Sequence, residues 1–128
     1  MVDAEKKIKI LLIEDDIFMS DLLTQALTRA GFEVIGAKTG GDGLKIFQET
    51  RPRVILLDLL LPDENGFETL RKIRRSEGGA DAKVIILSNL SREQNAEEAR
   101  RLGAADYLVK VNFSLDEIIE KVRSVMRG

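Results

Sequence analysis

Four apolar runs in this chain each end in a group that can do chemistry. The run 8–13 is followed by Glu14-Asp15-Asp16, the run 54–57 by Asp58, the run 84–87 by Ser88 and the run 107–109 by Lys110. Two carboxylates ~5 Å apart repel by about 3 kcal/mol at an effective dielectric near 20. A cluster of three therefore needs a cation. An all-oxygen donor set favours Mg²⁺ or a similar hard ion that keeps some of its water. With charge on a phosphoryl group neutralised, a carboxylate oxygen of Asp58 can attack phosphorus, a reaction that needs little beyond positioning and electrostatic stabilisation. The Lys110 ammonium can take a second phosphoryl oxygen as a point charge, and the Ser88 hydroxyl can donate to a third. The set is complete for forming an acyl phosphate on Asp58. Each residue taken alone has a plainer role: acids after a strand cap helices, and a single Ser or Lys is a turn residue or a solvated charge. The argument rests on four complementary groups at four equivalent positions.

Composition removes the main competing chemistries. The chain has 128 residues, no Cys and no His. Disulfides, thiolate catalysis, Cys- or His-ligated metals and Ser-His-Asp catalysis are excluded. Twenty Lys and Arg against 22 Asp and Glu give a net charge of −2, which offers no electrostatic footprint for nucleic acid or an anionic membrane. No apolar run approaches membrane-spanning length, and the charged start lacks an apolar signal core, so a cytoplasmic location is expected.

The elements that must position these groups alternate. Apolar runs at 8–13, 32–37, 54–57, 84–87 and 107–109 read as short strands covered on both faces, as in a parallel sheet. Between them, Met19, Leu23, Ala26, Leu27 and Ala30 repeat with helical spacing, and Gly31 is a C-terminal stop. Leu44 with Phe47 marks a second helix, and Phe67, Leu70 and Ile73 a third. Ser91 with Gln94 forms a capping box for a fourth helix that ends near Gly103. Ser114 with Glu117 forms another, ahead of a last helix with Leu115, Ile118, Ile119, Val122, Val125 and Met126 on one face. Right-handed crossovers make this a doubly wound α/β domain. In such folds the ligand site lies beyond the carboxyl ends of the strands, where the four reactive groups fall. Gly40-Gly41-Asp42-Gly43 lacks the Lys-Ser/Thr of a phosphate loop and reads as a turn. Arg71, Lys72, Arg74 and Arg75 read as a solvated face or a docking patch.

With these residues in place the sequence resembles the response regulator receiver domain of two-component signalling, over about 8–127, with residues 1–7 as a charged tail. The acidic pair Glu14-Asp15 follows an apolar strand. Asp58-Leu59-Leu60-Leu61-Pro62-Asp63-Glu64-Asn65-Gly66 is similar to the family's phosphoacceptor loop, Ser88 stands where the family has Ser or Thr, and Gly103-Ala104-Ala105-Asp106-Tyr107-Leu108-Val109-Lys110 is similar to the fifth-strand motif. The resemblance implies a flavodoxin-like (βα)5 fold with strand order 2-1-3-4-5. It implies Asp58 as phosphoacceptor, Asp15 as a direct Mg²⁺ ligand, Glu14 acting through water and the Leu60 carbonyl as a further ligand. Ser88 would bind the phosphoryl group after a small inward shift, with Tyr107 changing rotamer as Ser88 moves; otherwise Tyr107 is a fixed edge-strand ring.

Three departures from the family pattern stand out. Val111 follows Lys110 where the family usually has Pro, often in a cis bond, and Val111-Asn112 adds a residue before Phe113. The expected consequence is a trans Lys110–Val111 bond and a turn through Asn112, with Lys110 still aimed at Asp58. Asn89 follows Ser88 where Ala or Gly is usual, which would narrow access to the acyl phosphate. Asp16 is either a third acid of the cluster or a helix cap.

The implied function is a signalling switch phosphorylated by a histidine kinase or a phosphotransfer protein. It would assist its own phosphotransfer and dephosphorylation without a separate turnover substrate. Output is expected through the fourth helix, fifth strand and fifth helix, by capture of an output protein or by a phosphorylation-dependent homodimer, with no direct nucleic-acid or membrane binding. A receiver cut from a longer protein fits the sequence equally. The alternative is a metal-dependent phosphatase with an aspartyl nucleophile, which commonly carries a second Asp two residues on, where Leu60 stands here. A flavodoxin-like cofactor binder is disfavoured because acids follow the first strand.

Overall fold

A computed structural model describes residues 7–127, so the tail expected over residues 1–7 lies outside the described residues except for Lys7. Its elements alternate along the chain: β1 (Lys9–Ile13), α1 (Ile17–Arg29), β2 (Glu33–Ala37), α2 (Gly40–Thr50), β3 (Val54–Leu57), α3 (Gly66–Arg75), β4 (Lys83–Ser88), α4 (Arg92–Arg101), β5 (Asp106–Val109) and α5 (Leu115–Arg127). A single 3₁₀ turn, Lys110–Asn112, joins β5 to α5. The strands form one parallel sheet in the order β2-β1-β3-β4-β5, as the sequence leads one to expect.

Uninterrupted apolarity in the central strands follows from cover on both faces. In β1 and β3 alternate residues go to opposite sides. Ile10, Leu12, Val54 and Leu56 pack with Leu23 and Leu27 of α1 and Ile118 and Val122 of α5. Leu11, Ile13, Ile55 and Leu57 pack with Phe47 of α2 and Leu70 and Ile73 of α3. A smaller cluster under α4 contains Leu59, Phe67, Ile86, Ala99 and Tyr107. Ala99 is the one buried residue of α4, and apart from the exposed Ala96 the rest of the helix is polar. That helix is therefore held by less buried apolar surface than the others, a property suited to an element that moves.

Local chemistry sets the helix ends. Asp16 is the N-cap of α1 and accepts the Met19 N–H at 3.1 Å. The Ser114–Glu117 box is complete: Glu117 N–H donates to Ser114 Oγ at 3.1 Å and Ser114 N–H to Glu117 Oε1 at 2.8 Å. At Ser91 one half is made, the Gln94 N–H donating to Ser91 Oγ. Gly31 has φ +101°, which fits its reading as the stop after α1.

Two local expectations change. The segment Gly40–Gly43 is the first turn of α2 rather than a loop. Its glycines are there for close packing: a Cβ at Gly40 would overlap Thr69 and Glu64, and one at Gly43 would overlap Ile13. The basic run of α3 is not one solvated face. Arg74 turns inward and donates to the carbonyls of Gly79, Ala82, Leu102 and Gly103, while Lys72 pairs with Glu64 at 2.7 Å and Arg71 with Glu68 and Glu98.

Candidate functional site

Strand register brings the reactive groups together. Ile13 is level with Leu57 and Leu57 with Ile86, so the next residues of β1 and β3, Glu14 and Asp58, leave the sheet side by side. The Asp58 N–H still donates to the Ile13 carbonyl at 3.0 Å, and the Glu14 N–H to the Ala37 carbonyl at 2.9 Å. Ser88 is level with Val109, which places Lys110 just past the same edge. Gly66 at the start of α3 lets that helix crowd the Asp58–Leu59 backbone, since a Cβ there would overlap the Asp58 carbonyl oxygen.

Lys110 is the charge centre. Its ammonium lies 2.8 Å from Asp58 Oδ2 and 2.6 Å from Glu14 Oε1, and its side chain is only 11% exposed. Burial works against its charge, but the hydrogen bonds to Asp58 and Glu14 outweigh this and hold the amine above its ordinary value. Glu14 is buried, and burial pushes its carboxyl above the usual carboxylate range against the opposing pull of Lys110 and the Asp16 N–H. The other oxygen of Asp58, Oδ1, accepts the Leu60 N–H at 3.1 Å.

Glu14, Asp15 and Asp58 each offer a carboxylate oxygen within 4.8 Å of the others. One ammonium set against three carboxylates leaves two negative charges uncompensated. Oxygen donors, a double excess charge and an exposed Asp15 fit a hard divalent cation that retains water. Asp16, capping α1, stands outside this cluster.

The sequence reading placed Lys110 toward Asp58 but did not foresee its closer bond to Glu14. The signal was available: a buried acid beside a second acid requires a counter-charge, and Lys110 was the one cation already assigned to that edge. Ser88 is fully buried, and its Oγ accepts the Leu90 N–H at 3.4 Å. The Tyr107 ring is buried and its hydroxyl donates to the Leu90 carbonyl at 2.9 Å. Burial raises the Tyr107 hydroxyl above its ordinary value. The Leu60 side chain is exposed.

No cis peptide bond occurs among the described residues, so Lys110–Val111 is trans, as the missing Pro implied. The turn is 3₁₀, and Asn112 does not use the left-handed conformation. Asn89 has a partner that the sequence reading did not supply: its Oδ1 accepts the Val111 N–H at 3.2 Å.

A five-stranded doubly wound sheet with an acid–lysine cluster at the switch between β1 and β3 defines a phosphate-chemistry or cofactor-binding class of α/β protein. The particular family follows from comparison. Residues 10–123 match the response regulator receiver domain, and the chain belongs to that family. It is 37% identical over 119 residues to the DNA-binding dual master transcriptional regulator RpaA of a Synechocystis strain, covering 93% of this chain and 49% of that protein. It is 28% identical over 120 residues to the chemotaxis protein CheY of Thermotoga maritima, covering 93% of this chain and 98% of that one. The chain thus spans about half the length of the transcriptional regulators it matches and nearly all of that CheY. Among solved structures, a CheY-like receiver domain protein of Methanospirillum hungatei superposes with TM-score 0.88 at 27% identity, covering 95% of both chains. Vibrio cholerae CheY4 superposes with TM-score 0.87 at 26% identity, covering 93% of this chain and 98% of that one. No helix among the described residues is long and apolar enough to cross a membrane.

Proposed function

We propose that this receiver domain is switched by phosphorylation of Asp58. The observation that carries the reading is the Lys110 ammonium held between Asp58 and Glu14 at the carboxyl edge of the sheet. An Asp58 oxygen attacks the donor's phosphorus, a P–O bond forms, and the bond from phosphorus to the donor's nitrogen or acyl oxygen breaks. The leaving imidazole takes up a proton; a leaving carboxylate needs none. Water later attacks the same phosphorus, releasing inorganic phosphate and restoring the carboxylate. Lys110 stabilises charge on the phosphoryl oxygens, and the Ser88 hydroxyl donates to another of them after turning from Leu90.

Asp15, Asp58 and the Leu60 carbonyl would hold Mg²⁺ directly, with Glu14 acting through water. Bound there, the ion supplies neutralisation of phosphoryl charge. A related receiver domain, from the sensor histidine kinase PA1611 of Pseudomonas aeruginosa, has a magnesium ion coordinated in its active site cleft, at 25% identity and TM-score 0.86.

These 128 residues hold no His to carry a phosphoryl group, so the donor is another domain or protein, or a small acyl phosphate. Four of the five exposed large hydrophobics among the described residues, Ile17, Phe18, Leu60 and Val111, lie within three residues of Asp15, Asp58 or Lys110 in the sequence. An apolar rim around a charged centre suits a protein donor, a histidine kinase or phosphotransfer protein, as well as a small acyl phosphate. Output then runs through the surface of α4, β5 and α5 to a partner or a second copy, in the cytoplasm. Incubation with acetyl phosphate and Mg²⁺ should add one phosphoryl group by intact mass. Asp58→Asn should take none, because an amide is a poor nucleophile; equal labelling of that variant refutes the assignment.

A further inference from the structure

The two departures at Asn89 and Val111, 22 residues apart in sequence, meet in space through one hydrogen bond. We propose that Asn89 is a positioning residue for Lys110: its carboxamide holds the Val111 N–H and so fixes the turn that aims the Lys110 ammonium at Asp58. This rests on the reading of Asp58 as phosphoacceptor.

The turn needs such a tether. Lys110–Asn112 is a single 3₁₀ turn with no side-chain cap and no buried residue. Its closing bond, Phe113 N–H to the Lys110 carbonyl, is long at 3.3 Å. Isolated 3₁₀ turns have poor hydrogen-bond geometry and little stability of their own. Packing does not help at its middle residue, because Val111 is 79% exposed. Sheet pairing stops just before it, at Ser88 and Val109. Beyond that register pair the Asn89–Val111 bond links the β4–α4 and β5–α5 loops.

The chemistry also explains why the departures come together. Proline has no N–H and fixes its own φ, so a Pro after the lysine needs neither an acceptor nor a tether. Valine restores a backbone donor and removes the ring constraint. An acceptor on the neighbouring loop answers both changes, and the amide of Asn89 supplies it. The turn adjoins a lysine whose amine must meet two carboxylates at once, at 2.6 and 2.8 Å. A long, flexible side chain keeps that geometry only if its Cα is fixed. The Asp58 carboxylate bonds to Leu60 and Lys110 and not to Asn89, so the action of Asn89 passes through the backbone of Val111.

The test measures the rate of Asp58 phosphorylation from acetyl phosphate at saturating Mg²⁺, by intact mass. Asn89→Ala should be about fivefold slower, a loss on the scale of one ordinary hydrogen bond. Its Mg²⁺ midpoint should match wild type, because Asn89 is not a ligand; a general loosening of the site would move both. In a Lys110→Met background, Asn89→Ala should change nothing further. The exchange rate of the Val111 amide proton gives a readout that needs no phosphotransfer and no Lys110 variant, and Asn89→Ala should accelerate it by a similar factor. Labelling of Asn89→Ala as fast as wild type, an equal slowing in the Lys110→Met background, or unchanged exchange at Val111 overturns the proposal. A wild-type chain that takes no phosphoryl group overturns the phosphoacceptor reading and this one with it, whereas a labelled wild type with an unaffected Asn89→Ala overturns this one alone.

Discussion

Ser88 and Tyr107 grip the same residue from opposite sides. The Leu90 N–H donates to Ser88 Oγ at 3.4 Å, and the Leu90 carbonyl accepts from the Tyr107 hydroxyl at 2.9 Å. A Ser88 hydroxyl that turns to a phosphoryl group on Asp58 releases the Leu90 N–H, and the loop carrying the tyrosine's acceptor is then free to shift. Under the proposed switching, this pair would be a two-state element at the foot of α4, the helix with one buried residue. Beryllofluoride with Mg²⁺ should therefore change amide spectra at Leu90, Tyr107 and along α4 as well as beside Asp58. Tyr107→Phe should lower stability by about 1 kcal/mol, the net value of one hydrogen bond. It should also populate the shifted loop before beryllofluoride is added. Spectral changes confined to the residues around Asp58 would refute the relay.

The Lys110 bridge and the uncompensated acids make opposite demands on Mg²⁺. Unfolding disperses the acids, so the ion should raise the melting temperature of wild type by mass action. Asp15→Asn should lose most of that rise. Lys110→Met leaves Glu14 and Asp58 buried together without a counter-charge, which should destabilise the fold by about 3 kcal/mol. Mg²⁺ should recover more stability in this variant than in wild type, because it takes over the lost neutralisation. Differential scanning calorimetry with and without Mg²⁺ separates the cases, and an Asp15→Asn chain stabilised as strongly as wild type would remove Asp15 from the ligand set.

What was legible in the sequence follows the strength of the physical signal. The strands could be read because burial on both faces leaves no room for polar residues, as in Val54 to Leu57. Glu14, Asp58, Ser88 and Lys110 could be read because each is the first polar residue after an apolar run and their chemistries complement one another. Contacts set by tertiary distance could not be read. Nothing local in the sequence says that Arg74 turns in to four carbonyls or that Asn89 accepts from Val111. The Gly40–Gly43 segment misled for a related reason: glycine lowers helix propensity, but here it permits close approach to Thr69 and Ile13.

Close approach also governs Gly66. Its Cα lies against the backbone of Asp58, and an added Cβ would overlap the Asp58 carbonyl oxygen and crowd the Leu59 Cα at 2.9 Å. Backbone cannot rotate away as a side chain can. Gly66→Ala should cost about 1–3 kcal/mol, the usual range for overpacking a filled site. Because the displaced backbone carries Asp58, the variant should also accept phosphoryl groups from acetyl phosphate more slowly than its loss of folded fraction accounts for. Urea titration and intact-mass kinetics on the same sample check both halves. Labelling in proportion to folded fraction would show that Gly66 serves packing only.

Asp63 gives the fold a pH dependence that does not involve the acid cluster. Its two carboxylate oxygens accept the Gly40 and Gly41 N–H groups, each at 2.9 Å, at the N-terminus of α2. These bonds favour the charged form and hold the carboxyl below the usual aspartate range. A depressed folded-state value means that the stabilisation is complete above the unfolded value and is lost as pH falls through the folded one. Asp63→Ala should therefore be less stable than wild type near neutral pH by about 1 kcal/mol, the ordinary worth of an N-terminal cap. The difference should shrink once the pH drops below the ordinary aspartate value of about 4, where the unfolded chain begins to take up the proton, and should be gone below the lower folded-state value. Salt should shrink it as well, since Asp63 is exposed and its interaction with the helix dipole is screened. Urea midpoints of both chains across this pH range provide the check. A gap between them that stays constant down to strong acid would mean that the carboxylate's charge contributes nothing to holding α2 against the loop after Asp58.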